Sequence, residues 1–181
     1  MDVAYPHWRY YPPRSAPPIW ADELVQVFAE AQPSIDSSIV QGLGSEGVLK
    51  ALRLGLEANG YVVEASKARI DRIARPVLFG EQGHARVNYE VDAVQEEDQV
   101  LLEVEAGRGM MGNAVYRDLV RTSLIVGARF LALCVMNEYR YRSGSKEMVS
   151  RDYQLASDQL DAIYASGRLA LPFDGVLLVG Y

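Results

Sequence analysis

The chain has 181 residues, of which 49% are apolar or aromatic and 23% are charged. This composition is typical of a globular protein and excludes a disordered, collagen-like or low-complexity chain. The formal net charge of −6 argues against a surface coated with basic residues for nucleic-acid binding. The length suits one domain with a substantial core, or one domain with an arm.

The numbers of cysteines and histidines and the hydropathy of the chain argue against a disulfide-bonded, zinc-binding or membrane-spanning protein. Cys134 is the single cysteine, so it forms no internal disulfide, and its apolar neighbours indicate a buried thiol rather than a nucleophile. His7 and His84 are too few for a histidine-rich zinc site. No segment approaches the roughly 18 consecutive apolar residues of a membrane span, and no signal-peptide pattern is found. We therefore expect a cytoplasmic protein without membrane contact.

The N-terminal residues differ in composition from the rest of the chain. Residues 1–20 contain five prolines among several tyrosines and tryptophans. Proline at this density disfavours helix and central strand, and the aromatic side chains indicate an arm that packs on its own domain or on a partner subunit. Residues 21–181 are predicted to form a single domain.

Hydrophobic periodicity and turn residues predict the elements of this domain. They are, in chain order, a helix from Ala21 ended by Pro33, a helix over 45–58, a strand over 61–65, irregular structure over 66–85, strands over 86–94 and 99–106, a helix over 113–126, a strand over 129–136, a polar loop over 139–146, a helix over 150–165 and a strand over 175–179. This mixture of helices and strands predicts an α/β fold.

Two predicted strands, joined by a polar turn, place four carboxylates on one face of a hairpin. Because side chains alternate along a strand, Glu90 and Asp92 share one face of the first strand. Glu103 and Glu105 share one face of the second. Asp92 lies opposite either Leu101 or Glu103, depending on the turn, and both registers bring the four carboxylates together. Like charges across strands destabilise a sheet, so the cluster favours a Mg²⁺, Mn²⁺ or Ca²⁺ site or else a solvated acidic face.

The spacing of these carboxylates matches a known signature. Asp92, ten intervening residues and then Glu103-Val-Glu105 resemble the PD-(D/E)xK nuclease motif. The order of predicted elements over residues 45–136 is similar to the common core of that superfamily. Lysine usually occupies the position of Glu105, and the BamHI/BglII group of type II restriction endonucleases departs from lysine there. The resemblance implies a restriction-endonuclease-like, three-layer core with a mixed central sheet flanked by helices.

The resemblance also implies an activity, namely Mg²⁺-dependent hydrolysis of double-stranded DNA by a homodimeric endonuclease, with Mn²⁺ as a substitute. Asp92 and Glu103 would hold the metal. Glu105 would orient or deprotonate the attacking water, or help to bind a second ion. Three further side chains are candidates for supporting roles around them: Glu46, Glu90 and Lys50.

Two other functions are alternatives to a nuclease. The first is a non-catalytic domain that retains the fold and binds nucleic acid or another partner. The second is dinucleotide binding, because Gly107-Arg-Gly-Met-Met-Gly112 has the G-x-G-x-x-G spacing between a strand and a helix. Glu103 and Glu105 disagree with the second alternative, since the strand before such a loop is apolar on both faces.

Basic residues cluster at several places where they could contact the phosphates of a nucleic acid. The candidates are Arg69, Arg72, Arg108, Arg117, Arg121, Arg140 and Arg142, accompanied by Lys67, Arg75 and Lys146. Seven of the 24 acidic residues lie between Glu90 and Glu105, which leaves 17 acidic against 18 basic residues elsewhere. The low net charge is therefore compatible with a nucleic-acid substrate.

Overall fold

The structure, a computed structural model, describes residues 4–66, 68–107 and 113–181. The helices in these ranges are α1 (Ile19–Ile35), α2 (Ser45–Ala58), α3 (Ala114–Ser123) and α4 (Asp152–Ser166). The strands are β1 (His7–Tyr11), β2 (Tyr61–Val63), β3 (Ile73–Phe79), β4 (Ala85–Val91), β5 (Ala93–Gln95), β6 (Val100–Glu105), β7 (Phe130–Val135), β8 (Tyr139–Ser143), β9 (Lys146–Ser150) and β10 (Gly175–Gly180).

Six of these strands form a mixed central sheet in the order β1-β10-β7-β6-β5-β2. Strands β6, β7 and β10 are parallel, so their carboxyl ends lie at the same edge of the sheet. Strands β1, β5 and β2 are each antiparallel to their neighbours. The remaining strands form two separate pairs, β3-β4 and β8-β9. The prediction of an α/β fold with a mixed central sheet is confirmed.

Helices cover both faces of the sheet. Phe28 of α1 and Leu52 of α2 pack with Leu102 in one hydrophobic core. Leu119 of α3 packs with Leu101 in the other core, which α4 completes. Each fully buried side chain of this size contributes about 1.5–3 kcal/mol through burial. Because side chains alternate along β6, the residues two and four positions after Leu101 face α3.

The prediction for α2 agrees with the structure at both ends. Its apolar residues Val48, Leu49, Leu52 and Leu56 are all buried. The helix α1 is longer than predicted, because it starts before Ala21 and continues past Pro33. A proline in the last turn removes one backbone hydrogen bond with little helix left to disrupt. The other boundaries differ from the predicted ones by a few residues at most.

Two segments predicted to lack regular structure are strands. The predicted irregular region contains β3, and the predicted polar loop after β7 is the β8-β9 hairpin. The predicted strand over 86–94 is also divided, since β4 pairs with β3 whereas β5 pairs with β6. The chain bends at Asp92, so Val91 and Ala93 lie in different cores rather than on one face.

The pairing of β5 with β6 fixes the register of the carboxylates. Ala93 pairs with Leu102, and Gln95 pairs with Val100. This is the register in which Asp92 falls opposite Glu103, the second of the two predicted alternatives. The pairing of β5 with β6 ends at Ala93, so the carboxylates lie just beyond the last paired residues of these two strands.

Strand β1, within the predicted arm, is an edge strand of the sheet, and it pairs antiparallel with β10. The ring of Tyr10 in β1 lies against Gly175 at the start of β10. A Cβ on Gly175 would lie 1.8 Å from Oη of Tyr10 and 2.3 Å from its Cζ. We expect Gly175→Ala to lower the free energy of unfolding by about 1–3 kcal/mol, because an extra methyl must displace the ring. Urea unfolding measures this loss.

Tyr10→Ala provides the matched control for this prediction. In that background Gly175→Ala should have a much smaller effect, since the ring that the methyl would strike is gone. Equal effects of Gly175→Ala in the two backgrounds would contradict the proposed contact.

Among the residues that the structure describes, no helix has the length and apolar character needed to cross a membrane.

Candidate active site

A cavity of about 300 Å³ lies beside the carboxyl end of β6, at the bend between β4 and β5. The charged residues that line it are Glu64, Glu90, Asp92, Glu103, Glu105, Asp118, Arg72, Arg117 and Arg121. The cavity therefore brings together the four carboxylates predicted to share a face. It also adds carboxylates from outside the hairpin and arginines from two separate segments.

Asp92 holds the bend between β4 and β5 in place. Its Oδ2 accepts a hydrogen bond of 2.8 Å from the amide N–H of Val104, which lies beyond the end of the β5-β6 ladder. The carboxylate thus takes the place of a strand partner for this amide. The carbonyl oxygen of Asp92 accepts a second hydrogen bond, from the amide N–H of Glu64, at 2.8 Å. Asp92 is therefore both a site residue and part of the local framework.

Glu103 is the buried acid at the centre of the cavity, with 9% of its surface exposed. Burial raises the pKa of this carboxyl well above its ordinary value, and the negative charges of Asp92 and Asp118 raise it further. Arg121 acts in the opposite direction without compensating for burial. Glu103 is therefore harder to ionise than an exposed glutamate, and positive charge entering the cavity would oppose this effect.

Glu105 lies at the end of β6 in an ion pair with Arg117 of α3. Burial raises the pKa of this carboxyl to about 8, and a hydrogen bond with Asp118 and its charge contribute in the same direction. Arg117 lowers the pKa but does not outweigh them. Nε of Arg117 also donates to Oδ1 of Asp118 at 3.1 Å, so this arginine bridges the two acids.

Two further arginines line the mouth of the cavity. Arg72 forms an ion pair of 2.8 Å with Glu90, and both side chains are substantially exposed. Arg121 donates to the carbonyl oxygen of Glu90 at 3.3 Å and lies over the ring of Tyr89. These contacts place positive charge beside the carboxylates.

The chemistry of the lining fits a hard divalent cation. Carboxylate oxygens suit Mg²⁺ and Mn²⁺, and among the described residues that line the cavity there is no histidine or cysteine, the ligands that zinc prefers. In the conformation described, however, no three acidic, histidine or cysteine side chains of residues 4–66, 68–107 and 113–181 are arranged to hold a metal ion. A bound cation would therefore require the acidic side chains to turn toward it.

The other predicted site residues lie in several places. Glu46 and Lys50 of α2 line a neighbouring pocket, which shares Glu64 with the cavity. Arg69 is exposed in a short turn and does not line the cavity. Arg140 and Arg142 lie on β8. Outside the described residues are Arg108, Lys67 and the remainder of the glycine loop, residues 109–112.

Two acids that line the cavity, Glu64 and Asp118, were not predicted as site residues. Both are almost fully buried. Glu64 directly follows a short strand, and nothing in the sequence links it to the motif. Asp118 did carry a signal, because it shares the helical face of Val115, Leu119 and Thr122, all of them buried. An acid at an apolar position of an amphipathic helix marks a candidate functional residue.

A comparison with models of protein families found no match for this chain, and neither did a comparison with curated proteins. Function is therefore inferred from the residues of the cavity and their geometry.

Proposed function

We propose that this protein is a metal-dependent endonuclease that hydrolyses phosphodiester bonds of double-stranded DNA and has a restriction-endonuclease-like fold. The observation that carries the proposal is the convergence of Asp92, Glu103 and Glu105 on one cavity, with Glu103 buried among other acids. Burying several like charges destabilises a protein unless they serve a ligand of opposite charge. A divalent cation with a bound phosphate satisfies that requirement.

Each side chain has a role in this proposal. Asp92 and Glu103 would hold Mg²⁺ or Mn²⁺, which when bound neutralises charge on the phosphate and acidifies a water molecule. Glu105, with a pKa of about 8, can accept and release a proton near neutral pH, as a general base must. Arg72 and Arg121 would bind phosphate oxygens at the mouth of the cavity.

The arrangement of the layers supports the same proposal. Helices flank both faces of a mixed sheet, and the carboxylates lie at the edge where the parallel strands β6 and β7 end. That edge is the usual place for a ligand site in open α/β sheets. We include a homodimer in the proposal, because two copies of one cavity would act on the two strands of a duplex.

Supercoiled plasmid incubated with the protein tests this proposal directly. We expect nicked and linear products with Mg²⁺ or Mn²⁺ and none with a chelator. Asp92→Asn should reduce the rate about a hundredfold or more, because it weakens the charge that binds the cation while leaving an oxygen that can accept from Val104. Asp158→Asn is the matched control, since Asp158 is exposed on α4. Intact plasmid with both metals, or equal rates in the two variants, would refute the proposal.

A non-catalytic nucleic-acid-binding domain is the second candidate. Two observations favour it: the ion pair between Arg117 and Glu105, and the lack of a preassembled group of three metal-binding side chains among the described residues. This candidate predicts that the protein shifts DNA in a gel while the plasmid stays intact with either metal.

A further inference from the structure

The β8-β9 hairpin contacts a hydrophobic core at its base, through Tyr139, and is exposed beyond Tyr141. Every residue from Arg142 to Val149 is exposed, including Met148 at 42% and Val149 at 51%. An isolated two-stranded hairpin is at best marginally stable in water. The exposed side chains therefore contribute little to the core of this domain, and they are available to another molecule.

The hairpin is basic, although the chain as a whole is acidic. Residues 139–150 contain three basic residues and one acidic residue, whereas the chain has a formal charge of −6. Arg140 and Arg142 lie on one face of the hairpin, and Tyr139 and Tyr141 lie on the other. In the part of the chain that the structure describes, no carboxylate forms an ion pair with Arg142 or Lys146.

The base of the hairpin borders the carboxylate cavity. Val135, at the end of β7, pairs with Glu105, and β8 begins four residues later. A Cβ on Gly107, two residues after Glu105, would lie 3.9 Å from the ring of Tyr139. On the other side, Gln41 lines the groove beneath the hairpin, and the start of α2 lines the cavity. A polymer bound at the cavity can therefore reach the hairpin.

We propose that the β8-β9 hairpin is a DNA-binding arm that enters the major groove of the duplex on which the carboxylate cavity acts. This inference rests on the proposed nuclease function and adds the element that positions the duplex. The major groove is about 12 Å wide and admits a two-stranded ribbon, whose strands lie about 4.8 Å apart. Arg140 and Arg142 provide the planar donors that contact guanine edges and phosphates.

Duplex DNA fits the hairpin better than a single strand does. Proteins that bind single strands stack bases on open aromatic rings. Here the rings of Tyr139 and Tyr141 stack on one another, with centroids 5.7 Å apart, and Tyr139 also packs against the core. The two tyrosines are thus engaged with each other and with the core. On the arginine face, Arg140 forms an ion pair of 3.2 Å with Glu138, and both side chains are accessible enough to exchange this contact for a phosphate or a base.

Binding of a labelled random-sequence duplex, followed by fluorescence anisotropy with Ca²⁺, tests the inference. Glu103→Gln serves as the parent protein, because it should bind DNA without cleaving it. Adding Arg140→Gln and Arg142→Gln should weaken binding about tenfold or more. Adding Arg14→Gln and Arg168→Gln instead should change binding less than about twofold. Both control arginines are exposed and lie in the segments next to the amino end of β10.

A second duplex tests for the groove itself. Glucosylated hydroxymethylcytosine fills the major groove, so it should weaken binding of the parent and have little further effect on the hairpin variant. Thermal melting should be the same for all of these proteins, since the replaced side chains are exposed.

Equal binding by the hairpin variant and the control variant would overturn the inference. Glucosylation without effect, or tighter binding of single-stranded DNA than of duplex, would also overturn it. In each of these cases the nuclease proposal stands if plasmid is cleaved. A parent protein that binds no DNA, together with a wild type that cleaves none, would overturn both proposals.

Discussion

Glu103→Gln should abolish metal-dependent cleavage and at the same time stabilise the fold. Cleavage should fall about a hundredfold to a thousandfold, because a neutral amide replaces a charge that holds the cation. The free energy of unfolding, measured with urea at pH 8 in a chelator, should rise by about 1–3 kcal/mol. Wild type must either bury a charge or retain a proton at this position, and glutamine requires neither.

The pH dependence of this gain follows from the direction of the pKa shift. The pKa of Glu103 is raised in the folded state above its ordinary value of 4.5, so above that pH the folded state holds a proton that the unfolded state has lost. The stability contributed by this group therefore falls as pH rises toward the raised pKa. The advantage of Glu103→Gln over wild type should be small near pH 4 and grow at higher pH.

A matched variant separates the effect of burial from that of lost charge. Glu30→Gln removes an exposed carboxylate from α1 and should change stability by the same small amount at each pH. If Glu103→Gln were less stable than wild type across the whole range, the Glu103 carboxylate would be stabilising the fold, contrary to this account of the cavity.

Divalent cations should bind more tightly as pH rises. Glu103 must lose its proton to ligate the cation, and its pKa is raised. A cation bound beside Glu105, whose pKa is raised to about 8, also favours the loss of a proton from that carboxyl. Each proton released makes the apparent dissociation constant about tenfold smaller per pH unit below the pKa. Mn²⁺ or Mg²⁺ titrations followed by thermal shift between pH 6 and pH 9 measure this slope.

The same titration identifies the residues that bind the cation. Stabilisation by Mn²⁺ should be lost in Asp92→Asn and Glu103→Gln and retained in Asp158→Asn. If the affinity for Mn²⁺ does not depend on pH, or if Glu103→Gln still binds Mn²⁺, the cation binds elsewhere.

Local regularity explains which features could be predicted from the sequence. The helix α2 carries a full apolar stripe, with Gly44 before its first residue and Asn59-Gly60 after its last, so both ends of the helix were predictable. The alternation of acids around Asp92 and Glu103 likewise predicted a shared site. Both patterns depend only on residues close in sequence, so they can be recognised before the fold is known.

The missed elements lack such local patterns. Strand β3 contains Pro76 and is only partly buried, through Ile73 and Val77, and its sequence shows no alternation of apolar and polar residues. Strand β3 forms because β4 turns away from β6 at Asp92 and pairs with β3 instead. This pairing depends on the tertiary fold and not on the local sequence. Glu64 enters the cavity for a similar reason, since hydrogen bonds of its backbone to Asp92 and Arg53, both distant in sequence, place it there.

The ion pair between Arg117 and Glu105 ties the chemistry of the cavity to the packing of one short helix. The positive charge beside Glu105 comes from α3, which has 10 residues and is anchored through Val115 and Leu119. A helix of this length is not stable alone, so it forms only when it packs on the sheet. Docking of α3 and completion of the site are consequently one event, and selection for a well-packed helix is also selection for a charge-balanced site.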